Sequence, residues 1–319
     1  SEMCIRDRIE GSNCLNAHSP TEVTVISVGE LSALIVVTVL WALCYPLITV
    51  GLSFAPPLSF AALRALLAGM ALALAARVFR RPAPRSLRTW AMLMAIGLGT
   101  TSLGFFGMFD ASEFVSPGLA TVIANIQPLL AAILAHLCLG ERLARIQRLG
   151  LLLGFVGIIV ISLPHFGGPG RAGFTVGIAY ITLAASGVAV GNVLMKALGS
   201  QIDPLTSMAA QTLFGAVPLS IGAILRERPS TIIWSPAFAA SLLGLALLGT
   251  ALAYWLWFRL LERMPLSRAN AFTFLTPVVG FAFGVAFFGE RPGIAAVIGL
   301  PLAAVGVVLA QRGDGAARP

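Results

Sequence analysis

The stretch PLLAAILAHLCLGER at residues 128–142 returns as PVVGFAFGVAFFGER at residues 277–291. Both copies begin with a proline, continue as an apolar run and end in Gly-Glu-Arg, and 149 residues separate each position from its counterpart. Chance similarity between apolar segments would hardly place prolines and charged residues at one separation twice, so the chain contains an internal repeat. The same shift, or one of 147 residues, pairs further positions: Thr101 with Thr250, Glu113 with Glu262, Gly157 with Gly306, Pro57 with Pro204 and Arg64 with Gln211.

The composition places this repeat in a membrane. Hydrophobic residues make up 58% of the 319 residues and charged residues only 11%, whereas a soluble domain is usually about a quarter charged. Apolar runs of about 20 residues, which cross a bilayer as helices, recur along the chain, whereas β-barrel strands would alternate over segments of about ten residues. We therefore predict an all-α polytopic membrane protein with ten transmembrane helices, at about 30–51, 57–79, 89–109, 116–138, 147–163, 173–196, 204–225, 236–259, 265–288 and 293–311.

Each half of the chain holds five predicted helices, and an odd number reverses the direction in which the second half enters the membrane. Two inverted five-helix repeats are typical of secondary transporters, whose substrate site lies between the halves near the midplane. The predicted domains are a polar leader (1–29) that we expect to be disordered or artefactual, a first repeat (30–163), a linker loop (164–172), a second repeat (173–311) and a cytoplasmic tail (312–319).

The loops predict the orientation. Of the 21 basic residues, sixteen lie in the two tails and one set of alternate loops, and four lie in the other set. Because loops rich in Lys and Arg stay in the cytoplasm, we predict an inner (plasma) membrane protein with both termini cytoplasmic. The basic residues lie between apolar runs, so the partner they favour is the lipid bilayer and not nucleic acid.

These features resemble the drug/metabolite transporter superfamily, specifically its EamA-like ten-helix exporters. The resemblance covers about residues 30–311 and rests on the helix count, the duplication, the proline-to-Gly-Glu-Arg spacing and the segment LSFAALRALLAGM at residues 58–70. It implies export of a small metabolite (an amino acid, a related metabolite or an organic cation) by alternating access of the two repeats around a central cavity. One departure is Thr49, where such families often carry a basic residue; Lys196 occupies the equivalent place in the second half.

Two prolines mark the first candidate for a cavity wall. Pro128 and Pro277 fall near the middle of predicted helices, where each removes a backbone donor and crowds the carbonyl four residues earlier. In lipid such carbonyls need other partners or a water-filled cavity. The alternative is a packing kink satisfied by neighbouring helices. Polar residues cluster beside both prolines: Asn125, Gln127, Asn270, Thr273 and Thr276.

Aromatic and weakly polar side chains share faces of other predicted helices, because residues three or four apart lie on one side of a helix. Such a lining suits amphipathic metabolites or, through cation–π contact, organic cations. The alternative is ordinary packing. The substrate-binding candidates on these helices are Trp41, Tyr45, Thr49, Thr101, Phe105, Asn192, Thr250, Tyr254 and Trp257.

Arg64 is the charge that lies well inside a predicted span. A central arginine costs roughly 2.5–3.5 kcal/mol on insertion scales, so a partner is expected. We predict a structural or gating ion pair with Asp110 or Glu113, with direct contact to the substrate as the alternative. All thirteen acidic residues fall in loops, tails or helix ends. This placement favours facilitated or exchange transport over coupling through a carboxylate in the membrane.

The repeated Gly-Glu-Arg is interpreted as a tight turn between helices and not as the transport site. Glycine ends helices in the left-handed conformation, and a glutamate is stabilised at the start of the next helix. The predicted turn residues are Gly140, Glu141 and Arg142 in the first copy and Gly289, Glu290 and Arg291 in the second.

A membrane-embedded enzyme acting on a lipid or small amphipathic substrate is the main alternative function, and a channel is another. The sequence holds no H-E-x-x-H, G-x-S-x-G or P-loop motif, and its histidines and cysteines form no cluster with metal-ligand spacing. We predict no catalytic residue, metal or cofactor. The expected partners are a small-molecule substrate and the bilayer, and the chain is either a monomer or a homodimer.

Overall fold

The computed structural model describes residues 28–139, 145–166, 171–198, 202–261, 275–289, 291 and 293–311. Every regular element among these residues is helical, which agrees with the predicted all-α class. Six helices are long and apolar enough to cross a membrane: Val28–Leu52, Pro57–Val78, Leu87–Ala111, Ala172–Leu198, Pro204–Arg226 and Pro236–Trp257. Four shorter apolar helices lie at the remaining predicted positions, and their crossing of the membrane stays a prediction: Pro117–Ala131, Arg148–Ile161, Val279–Phe288 and Ile294–Gly306.

Prolines decide where several helices begin, because a proline in the first turn loses no hydrogen bond and is already in helical conformation. Pro57, Pro117, Pro204 and Pro236 are each the first residue of a helix. We number the α-helices along the chain as α1 (Val28–Ala42), α2 (Cys44–Leu52), α3 (Pro57–Val78), α4 (Leu87–Gly97), α5 (Gly104–Ala111), α6 (Pro117–Ala124), α7 (Gln127–Leu139), α8 (Arg145–Ser162), α9 (Arg171–Leu198), α10 (Pro204–Arg226), α11 (Pro236–Leu243), α12 (Ala253–Leu261), α13 (Leu275–Phe288) and α14 (Ile294–Gln311).

Two spans contain a π-helical segment where the sequence predicted continuous α-helix. Leu98–Leu103 joins α4 to α5, and Gly244–Leu252 joins α11 to α12. The 149-residue shift places the first segment within the second, so both halves carry the same irregularity. A π-turn inserts an extra residue into a helix and frequently marks a functional site.

The span that contains Pro128 is broken, not kinked. Helix α6 ends at Ala124 and α7 begins at Gln127, so Pro128 lies in the first turn of a new helix and not in mid-helix as predicted. The Asn125 amide donates to the Val122 carbonyl at 3.1 Å, and its side-chain Nδ2 donates to the Thr121 carbonyl at 3.0 Å. Asn125 thereby satisfies a carbonyl at the end of α6. Pro277 is the third described residue of α13, and residues 262–274 lie outside the described part.

Helices α3 and α10, which the repeat makes equivalent, pack side by side in opposite directions. At one end, Glu227 after α10 accepts hydrogen bonds from the Leu58 and Ser59 amides of α3 at 2.8 and 2.7 Å. At the other end, Arg81 after α3 forms an ion pair with Asp203 before α10 at 3.5 Å. Asp203 also caps its own helix through the amides of the first turn.

Helices α8 and α14 form the second pair of equivalent helices and also run antiparallel. A Cβ on Gly157 of α8 would lie 2.8 Å from the Gly299 carbonyl, and one on Gly306 of α14 would lie 2.7 Å from the Gly150 carbonyl. The 149-residue shift pairs Gly157 with Gly306 and Gly150 with Gly299, so the two contacts are equivalent in the repeat. Larger side chains would force the helices apart, so the glycines permit this close approach.

A cluster of phenylalanines packs beside the α3–α10 pair. Phe60 of α3 meets Phe109 of α5 edge to face with ring centroids 5.0 Å apart, and meets Phe238 of α11 at 5.1 Å. All three side chains are fully buried. Because residues four apart share one helix face, this packing also directs Arg64 of α3 into the protein.

Candidate functional site

Arg64 of α3 makes polar contacts with two other helical segments of the described structure. Its side chain is 3% exposed. Its Nε donates to Thr250 Oγ1 at 3.1 Å, and its Nη2 lies 3.5 Å from Cys44 Sγ. Its Nη1 is buried without a hydrogen-bond partner. A buried guanidinium is thus held at one edge by neutral groups while another edge is unsatisfied.

The two acceptors that face Arg64 are oriented by the backbone of their own helices. Thr250 donates its hydroxyl hydrogen to the Leu245 carbonyl at 2.9 Å, five residues earlier in the π-helical segment. Cys44 donates its thiol hydrogen to the Leu40 carbonyl at 3.5 Å. Since each hydrogen is already used, each group presents lone pairs to the arginine.

Aromatic residues enclose the guanidinium. Its central carbon lies 4.2 Å from the Phe105 ring centroid and 5.8 Å from that of Phe109, both within the range of cation–π attraction. The Tyr45 and Tyr254 hydroxyls are near enough to interact electrostatically with Arg64, and the Tyr45 hydroxyl is buried without a partner. Two sequence candidates, Phe105 and Thr250, therefore contact Arg64 directly, while Tyr45 and Tyr254 lie within its electrostatic range.

The predicted ion pair of Arg64 with Asp110 or Glu113 is not formed, and that prediction is corrected. Within the described residues, the ion pair present is Arg81–Asp203. Arg64 lies two turns into α3 and faces α2 and the second π-helical segment. Asp110, at the end of α5, lies in the electrostatic range of Glu113 and of Glu227 and Arg226 at the end of α10. The depth of Arg64 in its helix was predictable from the sequence, whereas the neighbours that face it were not.

The position equivalent to Arg64 in the second repeat carries no charge. Gln211 of α10 is 2% exposed, and its Oε1 accepts from Thr100 Oγ1 at 3.0 Å. Its Nε2 donates to Met208 Sδ at 2.7 Å. Both equivalent side chains therefore contact a threonine in a π-helical segment of the opposite half, but the positive charge is present in one half alone.

Other candidates from the same helices serve different contacts. Trp41 and Trp257 meet with ring centroids 5.1 Å apart inside a hydrophobic cluster, an arrangement that matches the packing alternative. Thr49 donates to the Tyr45 carbonyl at 3.1 Å. Thr101 is 1% exposed and faces Gly215 of α10.

The polar candidates near the prolines and on α9 do not gather into one described cluster. Asn125 and Gln127 are half-buried at the break before α7, and Asn192 is exposed on α9. Thr276 carries a buried hydroxyl without a partner. Two further candidates, Asn270 and Thr273, lie outside the described residues.

The turn residues are described in part. Gly289 follows the last residue of α13 with a φ of +66°, the left-handed conformation common at helix ends. Arg291 is exposed. The remaining turn residues lie outside the described part: Gly140, Glu141, Arg142 and Glu290.

The sequence did not single out Cys44 or Phe109 as neighbours of Arg64. The one signal in the sequence that pointed to them is their position beside the candidates Tyr45 and Phe105. Cys44 precedes the candidate Tyr45, and Phe109 follows the candidate Phe105 by one helical turn. No group of three or more potential metal ligands occurs among the described residues.

Comparison with known proteins gives consistent matches. The model of the EamA-like transporter family matches residues 28–163 and again residues 175–311. The chain is 31% identical to the "Probable amino-acid metabolite efflux pump" of Salmonella typhimurium, over 88% of this chain and 92% of that protein. It is 30% identical to the "Uncharacterized transporter YvbV" of Bacillus subtilis, over 85% and 88%.

A third relative is the "Probable terminal-alkyne amino-acid exporter" of Streptantibioticus cattleyicolor, 29% identical over 88% of this chain and 92% of that protein. A crystal structure of a protein that is 20% identical superimposes with a TM-score of 0.65, covering 88% of this chain and 96% of that chain. At this identity the superposition shows a shared fold and no more.

Proposed function

The chain belongs to the EamA-like transporter family, and from that premise we propose that it exports amino acids or related small metabolites across the inner membrane. The chain is a multi-pass membrane transporter, since its relatives are named transporters or efflux pumps. The predicted transporter class is therefore confirmed, and the enzyme alternative is set aside. The substrate, the direction and the mechanism form the proposal.

The proposed mechanism is alternating access of two inverted five-helix repeats. The observation that carries it is the antiparallel packing of repeat-equivalent helices, α3 against α10 and α8 against α14. Equivalent helices of an inverted repeat cross the membrane in opposite directions. The contacts between them are then the surface across which the two halves can rock.

The proposed orientation places both termini in the cytoplasm. The loops that this orientation puts outside meet one another, since the Ile233 amide donates to the Phe54 carbonyl at 2.8 Å and Glu227 caps α3 at the same end. The Arg81–Asp203 ion pair then lies on the cytoplasmic side, where basic loops accumulate.

An amino acid or a related metabolite is the substrate class that two observations support. Two relatives are named for amino-acid metabolites or an amino acid. The cluster around Arg64 offers a cation and a threonine hydroxyl beside two aromatic rings. The half-buried Asn125 and Gln127 at the break before Pro128 remain part of the proposed lining.

Facilitated or exchange transport is the proposed energy coupling. The described acidic residues Glu30, Asp110, Glu113, Asp203 and Glu227 all lie in loops or within three residues of a helix end. A proton-coupled carrier often uses a carboxylate inside the membrane.

Efflux from cells tests this proposal. Cells with and without the chain are loaded with radiolabelled L-phenylalanine, L-leucine, L-threonine or tetraphenylphosphonium, and loss of label is followed. The expected result is faster efflux of at least one amino acid in cells that make the protein, with no change when a protonophore collapses the proton gradient. Equal efflux of every solute from both kinds of cell would contradict the proposed export, and loss of transport with the protonophore would contradict the proposed coupling.

A further inference from the structure

Arg64 has a buried charge and no protein anion beside it in the described structure. Its contacts are a hydroxyl, a thiol and two aromatic rings, all of them neutral. A buried charge is costly unless it is paired, and neutral acceptors compensate it only in part. The missing anion must come either from outside the chain or from a residue beyond the described part.

The guanidinium still has donors free for such an anion. Arginine carries five N–H groups in a planar arrangement. Thr250 uses the Nε–H and Cys44 faces one hydrogen of Nη2, while Nη1 has no partner. Nη1 and the second hydrogen of Nη2 can hold two oxygens of a carboxylate side by side, which is the geometry that arginine binds best.

The charge balance selects the class of anion. A single monocarboxylate neutralises one guanidinium, whereas a phosphate dianion would leave a buried negative charge. An organic cation without a carboxylate would place a second positive charge beside the uncompensated guanidinium, where repulsion in a buried site is strong, whereas an amino acid brings a carboxylate to the guanidinium together with its ammonium group.

We infer that Arg64 binds the carboxylate of the transported solute, which makes the solute an amino acid or another monocarboxylate and excludes organic cations. This inference rests on the proposed function, because it names the solute class and the residue that recognises it. It also accounts for the uncharged Gln211 at the equivalent position of the second repeat. One solute carboxylate requires one arginine, and a second buried cation would remain unpaired.

Cys44 provides a native reporter of this site. The cysteine is buried, and its sulfur lies 3.5 Å from Arg64. Since Arg64 is closed off in this conformation, a solute reaches it when the helices open. A small thiol reagent then reaches Cys44 in the same open state. A bound carboxylate is expected to shield the cysteine.

The first experiment measures alkylation of Cys44 in proteoliposomes made with the full chain, in which Cys4, Cys14 and Cys138 are replaced by serine. The probes are L-phenylalanine, L-leucine and L-threonine, each beside its amide, together with phenethylamine. At least one acid should slow the reaction of N-ethylmaleimide with Cys44 by about fivefold or more, while its amide and the amine should not. Equal protection by acid and amide, or a Cys44 that never reacts, would overturn the inference.

The second experiment compares variants of Arg64 in the same assay. Arg64→Gln should weaken protection by the acid about 10- to 100-fold, as expected for the loss of a two-point charged contact. Arg64→Lys should restore part of it, since the charge returns without the planar arrangement. The matched control is Arg228→Gln, which removes one positive charge from an exposed loop residue and should leave protection unchanged.

A third variant separates solute binding from folding. Thr250→Asp places a carboxylate beside Arg64, so it should preserve the fold while abolishing protection by the acid. Full protection in Arg64→Gln or in Thr250→Asp would overturn the inference. Three repeat-related acids lie outside the described residues, namely Glu141, Glu262 and Glu290. Glu262→Gln tests the one whose counterpart, Glu113, was predicted beside Arg64. Loss of protection in that variant equal to the loss in Arg64→Gln would assign Glu262, and not the solute, as the partner of Arg64.

The results distinguish this inference from the proposed export. Export of tetraphenylphosphonium or phenethylamine that is insensitive to Arg64→Gln would contradict the inference while leaving a transporter. Protection of Cys44 by an acid, without efflux of any solute from cells, would support the binding site and contradict the export.

Discussion

Arg64 and the groups that hold it show how single residues define the site. Thr250 and Cys44 give their hydrogens to backbone carbonyls and their lone pairs to the arginine. The π-helical segment brings Thr250 into this orientation, since its hydroxyl bonds a carbonyl five residues earlier. The site thus depends on the local backbone of two helices as well as on the side chains.

Two buried threonines give a matched test at this scale. Thr250 and Thr212 are both fully buried, but Thr250 accepts from Arg64, whereas Thr212 has no hydrogen-bond partner. Thr250→Val should lower the free energy of unfolding by about 1.5–3 kcal/mol, the value of a hydrogen bond to a charged group. Thr212→Val should be neutral or stabilising, because it removes an unsatisfied polar group. Thermal unfolding in detergent measures both, and equal shifts would contradict the assigned contact.

The sequence predicted several of the residues that belong to the site but not which of them contact one another. Helical spacing identified Tyr45, Phe105, Thr250 and Tyr254, and the burial of Arg64 followed from its place inside an apolar span. Its partners come from other helical segments, at sequence separations of 20 and 186 residues. That pairing depends on how the helices rotate against one another, and an apolar helix gives little signal for its rotation. The exposure of Asn192 on α9 could not be predicted either, because it depends on the rotation of that helix.

At the scale of elements, the ends of the helices were the easiest feature to predict. Prolines at positions 57, 204 and 236 begin helices as expected from their fixed φ and missing N–H. The π-helical segments and the break at residues 125–126 were missed. An extra residue in a helix changes no hydrophobic pattern, and the break requires the Asn125 side chain to replace a backbone donor.

Two glycines in one connection test the turn after α13. Gly289 has a φ of +66°, whereas Gly293 has no left-handed φ, and a Cβ on either would meet nothing within 4 Å. Gly289→Ala should therefore lower the free energy of unfolding by about 1 kcal/mol through backbone strain alone. Gly293→Ala should have little effect. Comparison of their thermal unfolding midpoints checks this, and a larger loss from Gly293→Ala would contradict it.

The contact between α10 and the start of α3 gives a second test. Glu227 accepts from two α3 amides and from the Ser59 hydroxyl at 2.7 Å. Glu227→Gln should lower the free energy of unfolding by about 1 kcal/mol, because a charged acceptor at a helix N-terminus becomes neutral. Glu113→Gln is the control, since Glu113 is exposed at the same end. Unfolding midpoints that do not separate the two variants would contradict the capping role.

For the whole molecule, the internal repeat was the strongest prediction from sequence. A fixed separation between prolines, glycines and charged residues predicted which helices are equivalent, and the family model matches the two halves separately. The sequence could not give the distances between those helices. The close approach of Gly157 to Gly299 depends on packing that brings backbones into contact.

Labelling of single cysteines tests the proposed topology. In a chain whose native cysteines are replaced by serine, Ser116→Cys and Ser230→Cys should react with a membrane-impermeant thiol reagent added outside intact cells. Ser86→Cys should react only after the membrane is opened. All three serines are exposed, so access depends on the side of the membrane. Labelling of Ser86→Cys in intact cells, or protection of Ser230→Cys, would contradict the inverted arrangement of the halves.

The central proposal is that this chain carries an amino acid across the bilayer by alternating access. Counterflow in proteoliposomes containing the purified protein measures this most directly. Liposomes are loaded with an unlabelled amino acid, and uptake of the labelled compound is followed without an ion gradient. The predicted result is transient accumulation of label above the level in liposomes without protein, for at least one amino acid. Uptake equal to that of protein-free liposomes for every amino acid tested would contradict the claim.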